Sequence, residues 1–279
     1  MKTKIKLLTA VDMLFLLLLS ISGSTVGIIS EVFYYLAFLA PVGIVLNYIY
    51  TTGESSHAPT AEAKRRMLLD IKKDFSFSKE ALIFSTPVFF PAIMGILGLS
   101  ILSTAILSSL GYENNATFSE PLWLAIVIHA LIPSILEELL FRFAPIKLLS
   151  ENKKTAFILS SVMFSFAHAN LFQIPYALLA GAVLSALYIM TGSIWPSMIM
   201  HFLNNTISLL SIYGHAGSWF FIILGVLTAA SITVVYIRRK AYSQKLDEML
   251  SREEKIEFSY YPLFFIGTAL LLAISALFV

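Results

Sequence analysis

The chain is built from long apolar runs that carry almost no charge, and this pattern limits what it can fold into. A helix of about 20 apolar residues crosses the hydrocarbon core of a bilayer. Hydrophobic residues make up 58% of the 279 residues and charged residues 13%, which is too apolar a composition for a soluble domain of this length. About nine segments have this character: roughly 7–24, 30–50, 81–110, 121–149, 155–170, 174–191, 193–212, 218–237 and 260–279. The sequence therefore predicts an all-α, polytopic membrane helical bundle with about eight or nine transmembrane helices.

The distribution of Lys and Arg predicts the orientation of this bundle. With a cytosolic N-terminus, every Lys and Arg except Arg142 falls in the cytosolic loops 51–80, 150–154 and 238–258, or at that end of a helix. The outward loops then contain neither residue, as the positive-inside rule requires. We therefore expect a multi-pass protein of the cell membrane with its N-terminus in the cytosol. The first helix can be interpreted as a cleaved signal peptide or as an uncleaved span, and the apolar sequence that resumes at once favours the span.

Three regions follow from this pattern. Residues 1–110 hold N-terminal transmembrane helices and the basic cytosolic loop 51–80, residues 121–210 hold a core with charged and polar groups, and residues 211–279 hold C-terminal transmembrane helices with the loop 238–258. In loop 51–80, apolar residues recur at helical spacing after a helix start at Pro59 and alternate with Lys and Arg. The pattern fits either a helix on the anionic inner leaflet or a solvated basic linker.

The chain contains no cysteine, which narrows its chemistry. A thiol nucleophile, a thiolate metal site, an iron–sulfur cluster and a disulfide framework are all excluded. No Gly-rich phosphate loop, zinc-finger spacing or nucleic-acid motif is present, so a nucleic-acid partner is not expected.

The most unusual stretch is the run from Glu137 and Glu138 to Arg142, inside an apolar segment. Each such charge at bilayer depth costs roughly 2.5–3.5 kcal/mol on insertion scales, and ionisable groups there are usually functional. Glu138 and Arg142 are four residues apart and can pair on one helix face, while Glu137 points about 100° away. Glu138 can therefore form a structural ion pair with Arg142, while Glu137 can face a cavity and take part in a reaction.

Further polar residues follow on later apolar segments. His168 lies on the next one, and His201 and Asn205 are four residues apart on a third. Counted from the cytosolic helix ends, Glu137, His168 and Asn205 lie roughly 18–20 Å deep at 1.5 Å per residue. The matching depths predict a single site near mid-membrane that is reached from the cytosolic side.

Two chemistries suit these groups. A carboxylate and an imidazole can activate water while His and Asn donate to a developing oxyanion. Glu137, His168 and His201 can alternatively hold zinc, because one Glu with two His and a water is a known catalytic ligand set. The chain lacks the His-Glu-x-x-His pattern, and the balance favours a metal-independent glutamate mechanism.

The spacing Glu137-Glu-x-x-x-Arg142, Phe164-x-x-x-His168 and His201-x-x-x-Asn205 resembles the three motifs of the CPBP family. This family, also called Abi, comprises CAAX-type prenyl endopeptidases and bacteriocin-processing or immunity proteins. The resemblance covers roughly residues 121–210 and leaves the first 110 residues without a match.

The resemblance implies an intramembrane endopeptidase that cuts near the C-terminus of a membrane-associated substrate, with or without a prenyl group. By position, Glu137 would activate the water with help from His168, while His201 and Asn205 would stabilise the oxyanion. Glu138 and Arg142 would order the first helix of the site.

Two alternatives stay open. One is a non-catalytic family relative that acts as an immunity protein or membrane scaffold. The other is a proton-coupled transporter, in which Glu, Arg and His form a relay. The absence of a mirrored second half argues against the transporter, because transporters are often built from repeats.

Overall fold

The computed structural model describes residues 2–52, 61–113, 119–168 and 170–250. Within these residues the chain forms ten helices and is all-α, as predicted. The helices are α1 (Lys2–Ser24), α2 (Ile28–Thr52), α3 (Ala61–Asp74), α4 (Lys79–Ser109), α5 (Leu122–Leu148), α6 (Lys153–Ala167), α7 (Ile174–Thr191), α8 (Trp195–Ile212), α9 (Ser218–Ile237) and α10 (Arg239–Leu250).

Six of these helices are long and apolar enough to cross a membrane, namely α1, α2, α4, α5, α7 and α9. The protein is therefore a polytopic helical membrane protein. The sequence predicted eight or nine spans because it counted two further segments, which form α6 and α8. By length and composition these two do not qualify within the described residues: α6 has only 15 residues, and α8 carries His201 and Asn205. The predicted span 260–279 lies outside the described residues.

Helix α5 lies at the centre of the packing and contacts α2, α6, α7 and α8. Helices α1 and α2 form a hairpin, and Phe15 of α1 packs edge-on against Phe38 of α2 and Phe141 of α5. Helix α9 packs on α4 at the periphery. The polar residues of α5 are consequently enclosed by apolar helices.

Two π-helical turns interrupt α5, at Ile126–Leu131 and at Leu139–Phe143. A π turn widens the helix by one residue and displaces the side chains that follow it. The carbonyl of Phe141, in the second of these turns, accepts a hydrogen bond from the buried hydroxyl of Ser160 on α6. That hydroxyl also lies 2.7 Å from the hydroxyl of Ser185 on α7, so the two serines join three helices at the turn.

Close packing between α6 and α7 depends on Gly181. A Cβ at this position would lie 2.9 Å from the carbonyl oxygen of Ser161 and 3.3 Å from the ring of Phe164. No other residue type fits without moving the helices apart. The part of α6 that contains Ser161 and Phe164 is thus held tightly against α7.

The ends that the charge pattern placed in the cytosol lie together at one end of the bundle. Lys4 pairs with Glu151 at 2.8 Å, and Lys147 pairs with Asp74 at 2.5 Å. At the opposite end of α5, Nε2 of His129 lies 2.5 Å from Glu120. The grouping of basic residues at one end agrees with the predicted topology, while the orientation relative to the cytosol stays a prediction. The loops 51–80 and 238–258 contain α3 and α10.

Candidate active site

A buried ion pair occupies the centre of α5. Nη1 of Arg142 lies 3.5 Å from Oε1 of Glu138, and both side chains are fully buried. The distance is that of an ion pair, and the guanidinium nitrogens have no hydrogen-bond partner among the described residues. The guanidinium carbon instead lies 3.9 Å from the centroid of the Phe164 ring, where the negative face of the ring attracts the cation.

His201 of α8 lies between the two carboxylates of α5. Its Nδ1 lies 2.9 Å from Oε1 of Glu138, and its Nε2 lies 3.6 Å from Oε2 of Glu137. Because a carboxylate only accepts, Nδ1–H of His201 donates to Glu138. Ser197, one turn earlier on α8, also interacts with Glu138. Glu138 is therefore fixed by Arg142 and His201, whereas Glu137 approaches only Nε2 of His201 among these groups. Each glutamate keeps one buried carboxylate oxygen, Oε2, without a hydrogen bond among the described residues.

His168 follows the last residue of α6 and points to the same region. Its Nδ1 lies 2.8 Å from the carbonyl oxygen of Phe164. A carbonyl cannot donate, so Nδ1 carries the proton and, in the neutral ring, Nε2 keeps its lone pair. The charge of Glu137 acts on this imidazole as well. In this tautomer Nε2 of His168 can accept a hydrogen bond.

Phe164 connects these groups. Its ring centroid lies 4.8 Å from that of His168 and 5.5 Å from that of His201, in edge-to-face geometry. Its ring also receives the guanidinium of Arg142. The aromatic residue one turn before His168 therefore orients three of the predicted site residues.

A cavity opens beside the two histidines. Its polar wall comes from His168, His201, Asn204 and Asn205. The other wall is mainly apolar and comes from α4, α6, α7 and α8: Ile96, Phe164, Tyr176, Ala177, Ala180, Leu184 and Met200. Of the predicted site residues, His168, His201 and Asn205 line this cavity. Glu137 does not line it but approaches His201, which does, and Glu138 and Arg142 lie buried behind.

The residue that the sequence interpretation missed is Asn204. Its Nδ2 donates to Oδ1 of Asn205 at 3.3 Å, and both side chains line the cavity. The amide of Asn205 is therefore turned so that its own Nδ2 remains available as a donor. The sequence does show two adjacent Asn residues one turn after His201, and this pair could have indicated a second polar residue at the site. Adjacent residues on a helix normally point about 100° apart, however, so the sequence did not predict that both would face the cavity.

The zinc-ligand set considered from the sequence consists of Glu137, His168 and His201. Glu137 and His201 approach each other, but the described residues contain no group of three His, Cys, Asp or Glu that could hold a metal ion. His168 does not complete such a group with them.

Comparison with known proteins agrees with the motif spacing. Residues 118–207, about a third of the chain, match the family of type II CAAX prenyl endopeptidases described as Rce1-like. No curated protein and no solved structure matches the chain. The matched residues include all seven motif positions from Glu137 to Asn205.

Proposed function

Because residues 118–207 form a domain of the Rce1-like type II CAAX prenyl endopeptidase family, we propose that the chain is an intramembrane endopeptidase. It hydrolyses a peptide bond near the C-terminus of a membrane-associated protein or peptide, and the family implies a prenylated substrate. The observation that supports this proposal best is the approach of Glu137 to His201, which shares one cavity with His168 and Asn205.

In the proposed reaction Glu137 takes a proton from a water molecule that is also held by Nε2 of His168. The resulting hydroxide attacks the carbonyl carbon of the substrate, and the carbonyl oxygen becomes an oxyanion. Any group that reaches Nε2 of His201 lies close to Oε2 of Glu137, since these two atoms are 3.6 Å apart. The proton on Glu137 then passes to the leaving amine as the carbon–nitrogen bond breaks.

The oxyanion would accept a hydrogen bond from Nδ2 of Asn205 and, when the ring of His201 carries a proton on both nitrogens, a second from Nε2–H of His201. Donors fixed before the reaction stabilise such charge better than water does, because they need no reorganisation. Asn204 holds the Asn205 amide in the required orientation. Glu138 holds the His201 ring through Nδ1 and leaves Nε2 directed at the reacting groups.

The apolar wall of the cavity favours a substrate that carries an apolar group next to the scissile bond. Ile96 of α4 and Ala177, Ala180 and Leu184 of α7 form much of this wall. Aliphatic side chains or a lipid modification bury favourably against it. We propose that the substrate enters from the cytosolic side, as the charge pattern predicts.

The test is cleavage of quenched fluorescent C-terminal peptides, prenylated and unmodified, by the purified protein in detergent. Wild type, Glu137→Ala and His168→Ala are compared with and without a zinc chelator. We expect turnover by wild type alone and no effect of the chelator. Loss with the chelator and recovery with zinc would instead indicate a metalloprotease. Absence of turnover by folded wild type would contradict the proposal and favour a non-catalytic relative.

A further inference from the structure

The end of α3 is attached to the first residues of α8. Three hydrogen bonds connect main-chain carbonyl oxygens of residues 74–76 with donors of residues 193–195. Their distances are 2.9 Å from the Ile194 amide to Asp74, 2.9 Å from the Trp195 indole to Phe75 and 3.0 Å from the Ser193 hydroxyl to Ser76. The start of the helix that carries His201 and Asn205 is therefore tied to the end of α3.

The same end of α3 is attached to α5. Lys147 pairs with Asp74 at 2.5 Å, and the rings of Phe75 and Phe143 lie 5.1 Å apart. Lys147 follows Arg142 by five residues on α5. The segment is thus fixed to α5, which carries Glu137 and Glu138, and to α8, which carries His201.

The other side of this segment is exposed, and it combines cations with apolar groups. Lys72 and Lys73 are exposed, and Leu68 and Leu69 are 57% and 55% exposed. Phe77 is 56% exposed, and its ring lies 6.1 Å from that of Trp195, which is 39% exposed. Exposed lysines beside Leu, Phe and Trp are typical of helices that lie at the surface of an anionic bilayer.

The charges of this segment indicate which class of lipid headgroup it would bind. Within residues 68–77 the two cations Lys72 and Lys73 are exposed, and of the two acids there, Asp74 is paired with Lys147. Cations at the cytosolic membrane surface attract anionic headgroups and not zwitterionic ones. The exposed aromatic pair Phe77 and Trp195 suits the level of the headgroups.

We propose that residues 68–77, which we call the α3 arm, bind anionic phospholipid headgroups through Lys72 and Lys73, with Trp195 beside them. Through the hydrogen bonds to residues 193–195, the bound lipid holds the start of α8 in place. The proposal concerns a lipid site and does not depend on protease activity.

The experiment follows the fluorescence of Trp195 in the full-length chain. The substitutions Trp123→Phe and Trp219→Phe leave Trp195 as the single tryptophan. The protein is placed in phosphatidylcholine nanodiscs that contain phosphatidylglycerol, and brominated acyl chains are carried either by the phosphatidylglycerol or by an equal amount of the phosphatidylcholine. We expect brominated phosphatidylglycerol to quench Trp195 more strongly, by about twofold or more, because lysines enrich anionic lipid around them.

Matched variants separate the lipid site from general charge effects. Lys72→Gln/Lys73→Gln should reduce the quenching ratio to about one. Lys240→Gln/Lys245→Gln removes two cations from α10 and should leave the ratio unchanged. The amide of Ile194, which donates to Asp74, should exchange hydrogen more slowly with phosphatidylglycerol present in wild type but not in the Lys72/Lys73 variant.

Equal quenching by the two brominated lipids in wild type would overturn the proposal. An equal loss of preference in the α10 variant would overturn it as well, because the preference would then be a general property of the basic end. Size-exclusion and thermal unfolding profiles of each variant establish that it is folded.

Discussion

Nδ1 of His201 donates a hydrogen bond of 2.9 Å to the carboxylate of Glu138, a residue 63 positions earlier in the chain. Glu138 is fully buried and also faces Arg142 at 3.5 Å. The bond joins α5 to α8 and leaves the other ring nitrogen of His201 facing Glu137. This one contact fixes Glu138 to α8, while Glu137 faces the other ring nitrogen.

Loss of Arg142 should destabilise the protein strongly. Arg142→Met leaves the carboxylate of Glu138 buried without its cation, and breaking a buried pair costs about 3–5 kcal/mol. The double variant Glu138→Gln/Arg142→Met removes both charges and should be less destabilised than Arg142→Met alone. Denaturant titration in detergent measures both free energies of unfolding.

The control for this pair is Lys245→Met. Its partner Glu248 is exposed, and an exposed pair contributes about 0–1 kcal/mol. A double variant that is no more stable than Arg142→Met would show that the charge of Glu138 is not what makes the loss costly.

His168 offers a test of the hydrogen-bond arrangement. His168→Asn keeps an amide donor for the carbonyl of Phe164, at the position of Nδ1, but has no group in place of Nε2. We expect stability within about 1 kcal/mol of wild type and cleavage slower by about 10²–10⁴-fold. Thermal unfolding and the single-turnover cleavage rate measure the two effects. Cleavage by His168→Asn within about threefold of wild type would show that Nε2 takes no part in proton transfer.

Ser160 should be important for stability, because its hydroxyl donates a hydrogen bond to the carbonyl of Phe141 in the π-helical turn of α5. Ser160→Ala leaves that buried carbonyl and the hydroxyl of Ser185 without this partner, at a cost of about 1–3 kcal/mol. The matched control is Ser211→Ala, whose hydroxyl bonds within its own helix at 3.0 Å. The control should change stability by about 0.5 kcal/mol or less. Equal effects of the two substitutions would contradict a special role for the π turn.

The pair of Lys4 and Glu151 should make stability depend on pH. Burial by itself raises the pKa of Glu151, but the hydrogen bonds from Lys4 and from the backbone outweigh burial and hold this pKa below its ordinary value. Because the folded pKa is the lower one, the stabilisation is present at neutral pH and is lost as the pH falls through the folded pKa.

The measurement compares the unfolding temperature of wild type and Lys4→Met across pH. Their difference should be largest near pH 7 and should close as the pH falls from about 5 to 3. The difference should be small throughout, since both side chains are about one-third exposed. A difference that stays constant or grows in acid would contradict the assignment.

Much of the fold could be predicted because hydrophobicity dominates a membrane protein. The positions of α1, α2, α4, α5, α7 and α9 follow from apolar runs. The helical interpretation of residues 61–74 followed from the spacing of apolar residues, and α3 is present. The number of spans was overestimated, because an apolar run such as that of α6 can be buried among other helices without being long enough to cross the bilayer.

The arrangement of the site was less accessible from the sequence. A regular helix predicts that Glu137 and Glu138 face different partners, whereas His201 contacts both with its two ring nitrogens. The two π turns of α5 have no reliable signature in one sequence, although Pro133 lies between them. The role of Asn204 depends on a side-chain bond to its neighbour, which spacing alone does not specify.

The central claim is that Glu137 activates water for peptide hydrolysis, and Glu137→Gln tests it most directly. The substitution keeps the size of the side chain and removes its basicity. The single-turnover cleavage rate of this variant is compared with wild type and with Glu248→Gln, which alters an exposed acid on α10. We predict a loss of about 10²–10⁴-fold for Glu137→Gln, with an unchanged unfolding temperature, and no loss for Glu248→Gln. Cleavage by folded Glu137→Gln at the wild-type rate would contradict the account.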